Sequence, residues 1–337
     1  MPAPHPETWL KTTSKGLYCE PGGFFIDPAW PVDRAVITHG HGDHARAGHK
    51  SVLATPETTA IMGSRYGADF AGAAQSAAYG DTVQMNDVTL RFVPAGHILG
   101  SAQIVLDYQG SRAVVSGDFK RRPDATCPPF EPVPCDVFIT EATFALPVFR
   151  HPDDAGEIAK LLHSRSLFPE RCQLVGVYAL GKCQRVIALL RQAGYDAPVY
   201  LHGALMALTQ LYQSRGIPLG DVRPAAGVPP EELQGQIVLC PPSALSDRWT
   251  RRLPEPLPVA ASGWMRVRAR ARQGGAELPL IISDHADWDE LLRTVEDVAP
   301  AEIWVTHGRE EALIHQVRKM GRRARALSLV GREDEED

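Results

Sequence analysis

Thr38-His39-Gly40-His41-Gly42-Asp43-His44-Ala45 follows directly on the apolar run Ala35-Val36-Ile37. This stretch decides how the chain is read, because it sets four ligand-type side chains in six positions. His39 and His41 are two apart, so at the end of a strand both imidazoles leave the same side and can meet one ion. Asp43 and His44 fall on the turn beyond and can reach a second. Neutral imidazole with carboxylate suits Zn²⁺, Mn²⁺ or Fe. The cluster therefore reads as half of a two-metal hydrolytic site rather than as a solvated, histidine-rich turn.

Three single residues complete such a site, each at a strand end beside glycine or a turn. His97 stands in Pro94-Ala95-Gly96-His97-Ile98-Leu99-Gly100-Ser101, Asp118 in Val115-Ser116-Gly117-Asp118-Phe119, and His307 after the strand Ile303-Trp304-Val305. One histidine after a strand is usually structural. Together with the cluster, these three read as ligands.

With 337 residues and 44% hydrophobic content the chain can build a full core of one large α/β unit with an insertion, or of two domains. A net charge of −5 exerts no global pull on nucleic acid, so a polyanion would need a local basic surface. The six cysteines form no Cys-x-x-Cys pair, and no charged-then-apolar leader precedes Trp9. They read as thiols in a reducing cytoplasm. Apolar stretches are strand-sized, far short of the roughly 20 residues that span a bilayer, so no membrane partner is expected.

From Phe24 to about Glu141 the pattern is short β-rich runs: Phe24 to Ile26, Arg34 to Ile37, Val88 to Val93, Ala102 to Leu106, Arg112 to Val115 and Val137 to Thr140. A helix is predicted after Thr55-Pro56, with Thr55 as N-cap. From Phe149 to Ser262 helix and strand alternate, which predicts a βαβ-type insert with a parallel sheet. Pro-rich segments Cys127 to Pro134 and Leu253 to Pro258 are candidate hinges. Strand Leu278 to Ser283, helix Trp288 to Val295, strand Ile303 to Thr306 and a basic helix Glu310 to Arg325 then resume the first pattern. The tail from Glu333 to Asp337 is acidic and expected to be disordered.

In order and spacing these residues resemble the metallo-β-lactamase fold over nearly the whole chain, and Asp27 in Phe25-Ile26-Asp27-Pro28 matches the acid that braces the histidine loop. The resemblance implies that His39, His41 and His97 hold one metal, that Asp43, His44 and His307 hold the other, and that Asp118 bridges. Two ions about 3.5–4 Å apart would clamp the attacking and leaving oxygens of a phosphodiester. The cofactors expected are thus two divalent metal ions, Zn or Mn.

The insertion narrows the substrate. Thr140-Glu141-Ala142-Thr143-Phe144, Ser283-Asp284-His285-Ala286-Asp287 and His307 are similar to motifs A, B and C of the β-CASP nucleases, the nucleic-acid branch of the fold. The resemblance implies catalytic roles for Asp43, Glu141 and His285, with His285, oriented by Glu141, giving the proton to the leaving oxygen. A general acid is chemically sensible, since an alkoxide leaves poorly. Lys15-Gly16-Leu17-Tyr18-Cys19, the run Gly22 to Pro28, Pro31 to His39 and Ser262-Gly263-Trp264-Met265 more finely resemble bacterial ligase-associated DNA exonucleases. One departure is that glutamate at motif A and histidine at motif C resemble the RNA-processing branch.

The implied architecture is α/β: a metallo-β-lactamase αββα sandwich in residues 1–148 and 263–330, a β-CASP insert in 149–262, and the tail 331–337. The implied function is a two-metal phosphodiesterase, a DNA exonuclease acting on single-stranded ends in repair, with single-stranded DNA, a DNA ligase and other repair proteins as partners. An RNA-processing ribonuclease and a small-molecule hydrolase of the same fold are the alternatives.

Two further segments bear on substrate. Gly176-Val177-Tyr178-Ala179-Leu180-Gly181-Lys182-Cys183 nearly matches a P-loop, but cysteine replaces the Mg²⁺-binding hydroxyl, so ATP is not expected. Gly181 and Lys182 at a helix start can instead hold one phosphate of a polynucleotide. Arg266, Arg268, Arg270 and Arg272 would alternate along one face of an extended chain beside Trp264, so Trp264, Arg266 and Arg268 are candidates for following a single strand. A second basic run, Arg318 to Arg325, is expected on the last helix's surface.

Overall fold

The structure, a computed structural model, describes residues 2–267, 269, 270, 275–308 and 310–329. Contacts divide the chain into two compact units: Met1–Val148 with the segment from His285 on, and Phe149–Asp284. Arg268, Arg272 and the tail 331–337 lie outside the described residues.

The first unit opens with six strands: β1 (Leu10–Thr13), β2 (Gly16–Cys19), β3 (Phe24–Ile26), β4 (Arg34–Val36), β5 (His49–Ala54) and β6 (Ala71–Ser76). They form one sheet in sequential order, with α1 (Pro56–Tyr66) before the last strand. Thr55 caps α1 by accepting the Thr58 N–H, with Pro56 opening the helix. β7 (Thr82–Met85), β8 (Val88–Pro94), β9 (Ala102–Tyr108), β10 (Ser111–Val115) and β11 (Val137–Ala142) then build a second sheet.

The second unit carries α2 (Asp154–Leu167), β12 (Gln173–Gly176), α3 (Lys182–Gln192), β13 (Val199–Leu201), α4 (Gly203–Ser214), β14 (Val222–Pro224), β15 (Ile237–Cys240), β16 (Leu257–Ala261) and β17 (Leu278–Leu280). Its sheet, in the order β14-β13-β15-β12-β16-β17, is parallel throughout. Two expectations are corrected here. Leu253 to Pro258 is not merely a hinge, because Leu257 begins β16 beside β12; Pro258 is tolerated in it with its carbonyl accepting the Glu277 N–H at 2.9 Å. The segment expected to return to the sandwich after residue 262 instead supplies β17, pairing Val259 with Leu278, so this unit runs on to Asp284.

The first unit resumes with α5 (Trp288–Val298), β18 (Glu302–Gly308), α6 (Glu310–Lys319) and β19 (Arg323–Ala326), and its second sheet reads β19-β18-β11-β10-β9-β8-β7. The basic helix expected through Arg325 ends at Lys319; Arg323–Ala326 pairs in parallel with β18, which offers a free edge there. Phe24, Ile26 and Val36 of one sheet share a buried core with Phe92, Ile104 and Val115 of the other. Met62 of α1 packs on the outer face of the first sheet with Ile37, Val52 and Ala54. Leu291 and Val295 of α5 and Leu313 and Val317 of α6 cover the outer face of the second with Val114, Phe138 and Ile303. The layers run helix, sheet, sheet, helix. Among the described residues no helix is long and apolar enough to cross a membrane.

Candidate metal centre

Strands of both sheets deliver the candidate ligands at one end of the first unit. β4 leads into His39, β8 into His97 and β10 into Asp118, while β11 carries Glu141 and β18 carries His307. The approach is close enough to demand glycine at two points. Gly117, at φ 56°, would place a Cβ 2.8 Å from Thr38 Cβ, and Gly308, at φ 97°, would place one 2.3 Å from the Ala142 carbonyl. His307 itself sits at φ 63°, a conformation that a non-glycine residue holds only where its surroundings over-determine it.

His39, His41, His97 and Asp118 each bring one ligand atom within 4.8 Å of the others. His97 Nε2 is 3.0 Å from His41 Nδ1, and Asp118 Oδ2 lies 3.3 Å from His39 Nε2 and 3.9 Å from His97 Nε2. Ligands about 2.1 Å from a tetrahedral ion stand about 3.4 Å apart, so these side chains fit a common cation. His39 Nε2 is buried and makes no hydrogen bond of good geometry, as suits an atom that donates its lone pair to a metal. Beside this set, His44 Nε2 is 3.3 Å from Asp43 Oδ2 and 3.5 Å from Asp118 Oδ2. The rings of His307 and His44 are 6.2 Å apart between centroids.

Asp27 organises the loop from behind. Its carboxylate accepts the Thr38 N–H at 2.8 Å, the Thr38 hydroxyl at 2.6 Å and His44 Nδ1–H at 2.8 Å, which directs His44 Nε2 toward Asp118. Burial, helped by the charge of His44, lowers the His39 pKa to about 4 and keeps the imidazole neutral, the form that ligates. Burial works to raise Asp43 and Asp118, but the His44 imidazole, joined by His39, outweighs it and holds both carboxyls well below their usual range.

Asp118, Glu141 and His285 form a second close group within 4.8 Å. Glu141 is buried; it accepts the Phe119 N–H at 2.8 Å, and its two oxygens lie 3.1 and 3.0 Å from His285 Nδ1. The His285 ring is 4.6 Å from that of His97. The Ala286 N–H donates to the Phe119 carbonyl at 2.7 Å, and Asp287 caps α5 in a reciprocal pair with Glu290, so both neighbours of His285 on its C-terminal side are anchored.

The expected substrate contacts are placed differently. Lys182 is 1% exposed, with Nζ 2.9 Å from Asp284 Oδ1, rather than facing solvent. The Gly181 N–H donates to Gln184 Oε1, and Cys183 N–H donates to the Tyr178 carbonyl, so the start of α3 is largely satisfied by its own turn. Gly263–Arg266 is a 3-10 turn and not an extended strand, so the alternating arginine face does not form there. Arg266 is exposed, whereas the Trp264 ring has Phe149 edge-on at 5.0 Å and the Arg270 guanidinium over its face at 4.2 Å. Sequence reading missed Lys120, a buried cation whose Nζ donates to the His285 carbonyl at 3.4 Å. Its place two residues after Asp118 was the available signal.

A family described as Zn-dependent metallo-hydrolase RNA specificity domain matches residues 279–326, a span that holds His285 and His307. The chain is 29% identical over 324 residues to a probable DNA ligase of Opitutus terrae, covering 95% of this chain and 31% of that protein. It is 27% identical over 211 residues to Ribonuclease TTHA0252 of Thermus thermophilus, 53% of this chain and 48% of that one. It is 30% identical over 134 residues to cleavage and polyadenylation specificity factor 73 of Drosophila melanogaster, 35% of this chain and 19% of that one. The chain thus spans half or less of the length of these curated relatives. A crystal structure of a protein of unknown function from Enterococcus faecalis superposes with a TM-score of 0.58 at 14% identity over 88% of this chain and 79% of that one. With its αββα sandwich, its His/Asp groups able to bind metal ions and these relatives, the chain is similar to the metallo-β-lactamase/β-CASP family.

Proposed function

We propose that the protein is a two-metal phosphodiesterase that degrades DNA from single-stranded ends during repair. The observation that carries the hydrolytic reading is the pair of buried Glu141 and partly exposed His285 beside Asp118, a proton donor and its orienting acid next to the ligand cluster. His39, His41 and His97 would hold one ion, Asp43, His44 and His307 the other, with Asp118 between them. Two divalent ions there supply the positive charge that activates water and offsets the charge developing on the phosphoryl group.

The chain's own side chains do the rest. Asp27 and Thr38 keep the histidine loop in place, and the depressed carboxyls of Asp43 and Asp118 stay ionised at neutral pH. Glu141 engages His285 Nδ1–H, which leaves Nε2 as the atom that delivers a proton to the departing alkoxide. DNA as substrate is supported by similarity along 95% of this chain to a probable DNA ligase.

RNA is the second reading, favoured by the match to an RNA specificity domain over 279–326 and by the ribonucleases among the relatives. The deciding experiment compares 5′- and 3′-labelled single strands of DNA and RNA, linear and circular, with added Zn²⁺, Mn²⁺ or Mg²⁺. Stepwise shortening of linear DNA from the 5′ end, with circles spared, is expected. Efficient cutting of circles removes the exonuclease reading, and faster turnover of RNA moves the protein to the RNA-processing branch.

A further inference from the structure

The carboxyl end of the parallel sheet in Phe149–Asp284 holds a cavity of about 650 Å³, none of whose lining residues belongs to the metal centre. Small-molecule pockets run to roughly 300–1,000 Å³. β13 and β15 are neighbours, yet the chain leaves β13 toward β14 on one side and leaves β15 toward β16 on the other. Strands whose connections diverge in this way open a crevice at their carboxyl ends, where open α/β sheets bind ligands. His202 lines the cavity from the end of β13, Ala225 and Val228 from the end of β14, and Trp249 and Leu253 from the segment after β15.

Its walls are apolar, with one aromatic plate. Trp249 Nε1–H donates to the Ala244 carbonyl at 3.1 Å, which fixes the indole, and the His202 ring stands 5.0 Å away at 56°. His202 Nδ1 accepts the Ala204 N–H at 3.2 Å, so its proton sits on Nε2 as a further donor. Trp249 lies in the 3-10 turn Arg248–Arg252, among Arg248, Arg251 and Arg252, all exposed. Among the described residues none of these three is held in an ion pair. Arg252 also lines the cavity.

An apolar slot with a fixed indole suits a flat ring, and the guanidinium of Arg252 in its lining, with exposed Arg251 next to it in the chain, suits phosphates. We propose that this cavity takes one unpaired nucleobase of a single strand, with the ring against Trp249 and the adjoining phosphates on Arg251 and Arg252. It is a second contact with nucleic acid, away from the hydrolytic residues in sequence and independent of them in chemistry. A purely apolar ligand would leave the arginines unused, and a bare anion would leave the indole unused.

The test is fluorescence anisotropy of a labelled phosphorothioate dT12, titrated with the intact protein across a salt series. It reads binding and not cleavage, so its outcome does not depend on the metal centre. Trp249→Leu should weaken binding roughly 5- to 100-fold, the usual worth of one base–aromatic stack, and Trp249→Phe should retain most of the affinity. Arg251→Ala and Arg252→Ala should each reduce the slope of log K against log [salt] by about 0.7. Arg215→Ala, at the other end of the 12-residue helix α4 and so about 18 Å away, should change neither. Displacement of dT12 by dTMP in the wild type but not in Trp249→Leu would support recognition of the nucleotide unit itself. Unchanged affinity in Trp249→Leu, or an Arg215→Ala loss equal to that of Arg252→Ala, overturns the proposal. Arg252 is exposed, so an unchanged salt slope in Arg252→Ala overturns it even where Trp249→Leu does not fold.

Discussion

Glu141 holds His285 by one ring nitrogen: His285 Nδ1 lies 3.0 Å from one carboxylate oxygen and 3.1 Å from the other, and the same carboxylate takes the Phe119 N–H beside Asp118. The imidazole's position relative to the candidate ligand cluster is therefore set by the Glu141 carboxylate. His285→Ala should keep its metal content yet lose roughly 10²–10⁴-fold in rate, the worth of general acid–base catalysis. A nitrophenyl phosphodiester, whose leaving group needs no proton, should recover much of the loss. Equal losses on both substrates would mean that the substitution disturbs the site as a whole.

Metal content tests the division of ligands. His307→Ala should lose about one ion per chain while its circular dichroism is unchanged, and Asp118→Ala should lose more because it faces both groups. Elemental analysis of the purified variants reads this directly. Full retention by a folded His307→Ala protein would remove His307 from the set.

Lys182 and Asp284 form a buried ion pair, their side chains 1% and 6% exposed and 2.9 Å apart. Breaking such a pair strands a charge, at a cost of about 3–5 kcal/mol. Lys182→Met should therefore lower the midpoint of urea denaturation strongly, and the double change Lys182→Met with Asp284→Leu should restore part of it. A stable Lys182→Met protein with weakened nucleic-acid binding would instead return this lysine to the phosphate-binding role expected from sequence.

Burial pushes the thiols of Cys19, Cys172, Cys183 and Cys240 up to about 12. At pH 8 almost none is thiolate, so the native protein should resist iodoacetamide and react fully only when unfolded. The linkage has a definite sign. A folded pKa above the unfolded value means that the folded chain holds protons the unfolded chain releases, so stability is complete below about pH 8.5 and falls as pH rises toward 12. Denaturation midpoints measured from pH 7 to 10 should decline, and rising midpoints would show that these thiols ionise in the folded protein.

Much of the candidate metal centre was legible because ligand-type residues are dense in one stretch of the sequence. His39, His41, Asp43 and His44 declare themselves within six positions, and His97, Asp118 and His307 each stand where an apolar run meets a glycine. Elements that bury both faces announced themselves in the same way, as with β10, β11 and the core-facing alternation of β8. What carried little signal was edge structure. β6, Ala-Gly-Ala-Ala-Gln-Ser, is almost wholly exposed, and β19 alternates arginine with alanine; each is a strand because the neighbouring strand offers unpaired N–H and C=O groups, not because of its own side chains.

The local sequence determined which residues could ligate, which strand ends would present them, and that a helix–strand insert interrupts a sandwich. Only the tertiary structure decided that β17 belongs to the insert, that Lys182 faces Asp284, and that Trp264 lies between Phe149 and Arg270 while Trp249 lines a cavity with Arg252. The reason is physical: ligand type and periodicity are properties of neighbours along the chain, but burial, ion pairing and the free face of an aromatic ring depend on segments that meet only after folding.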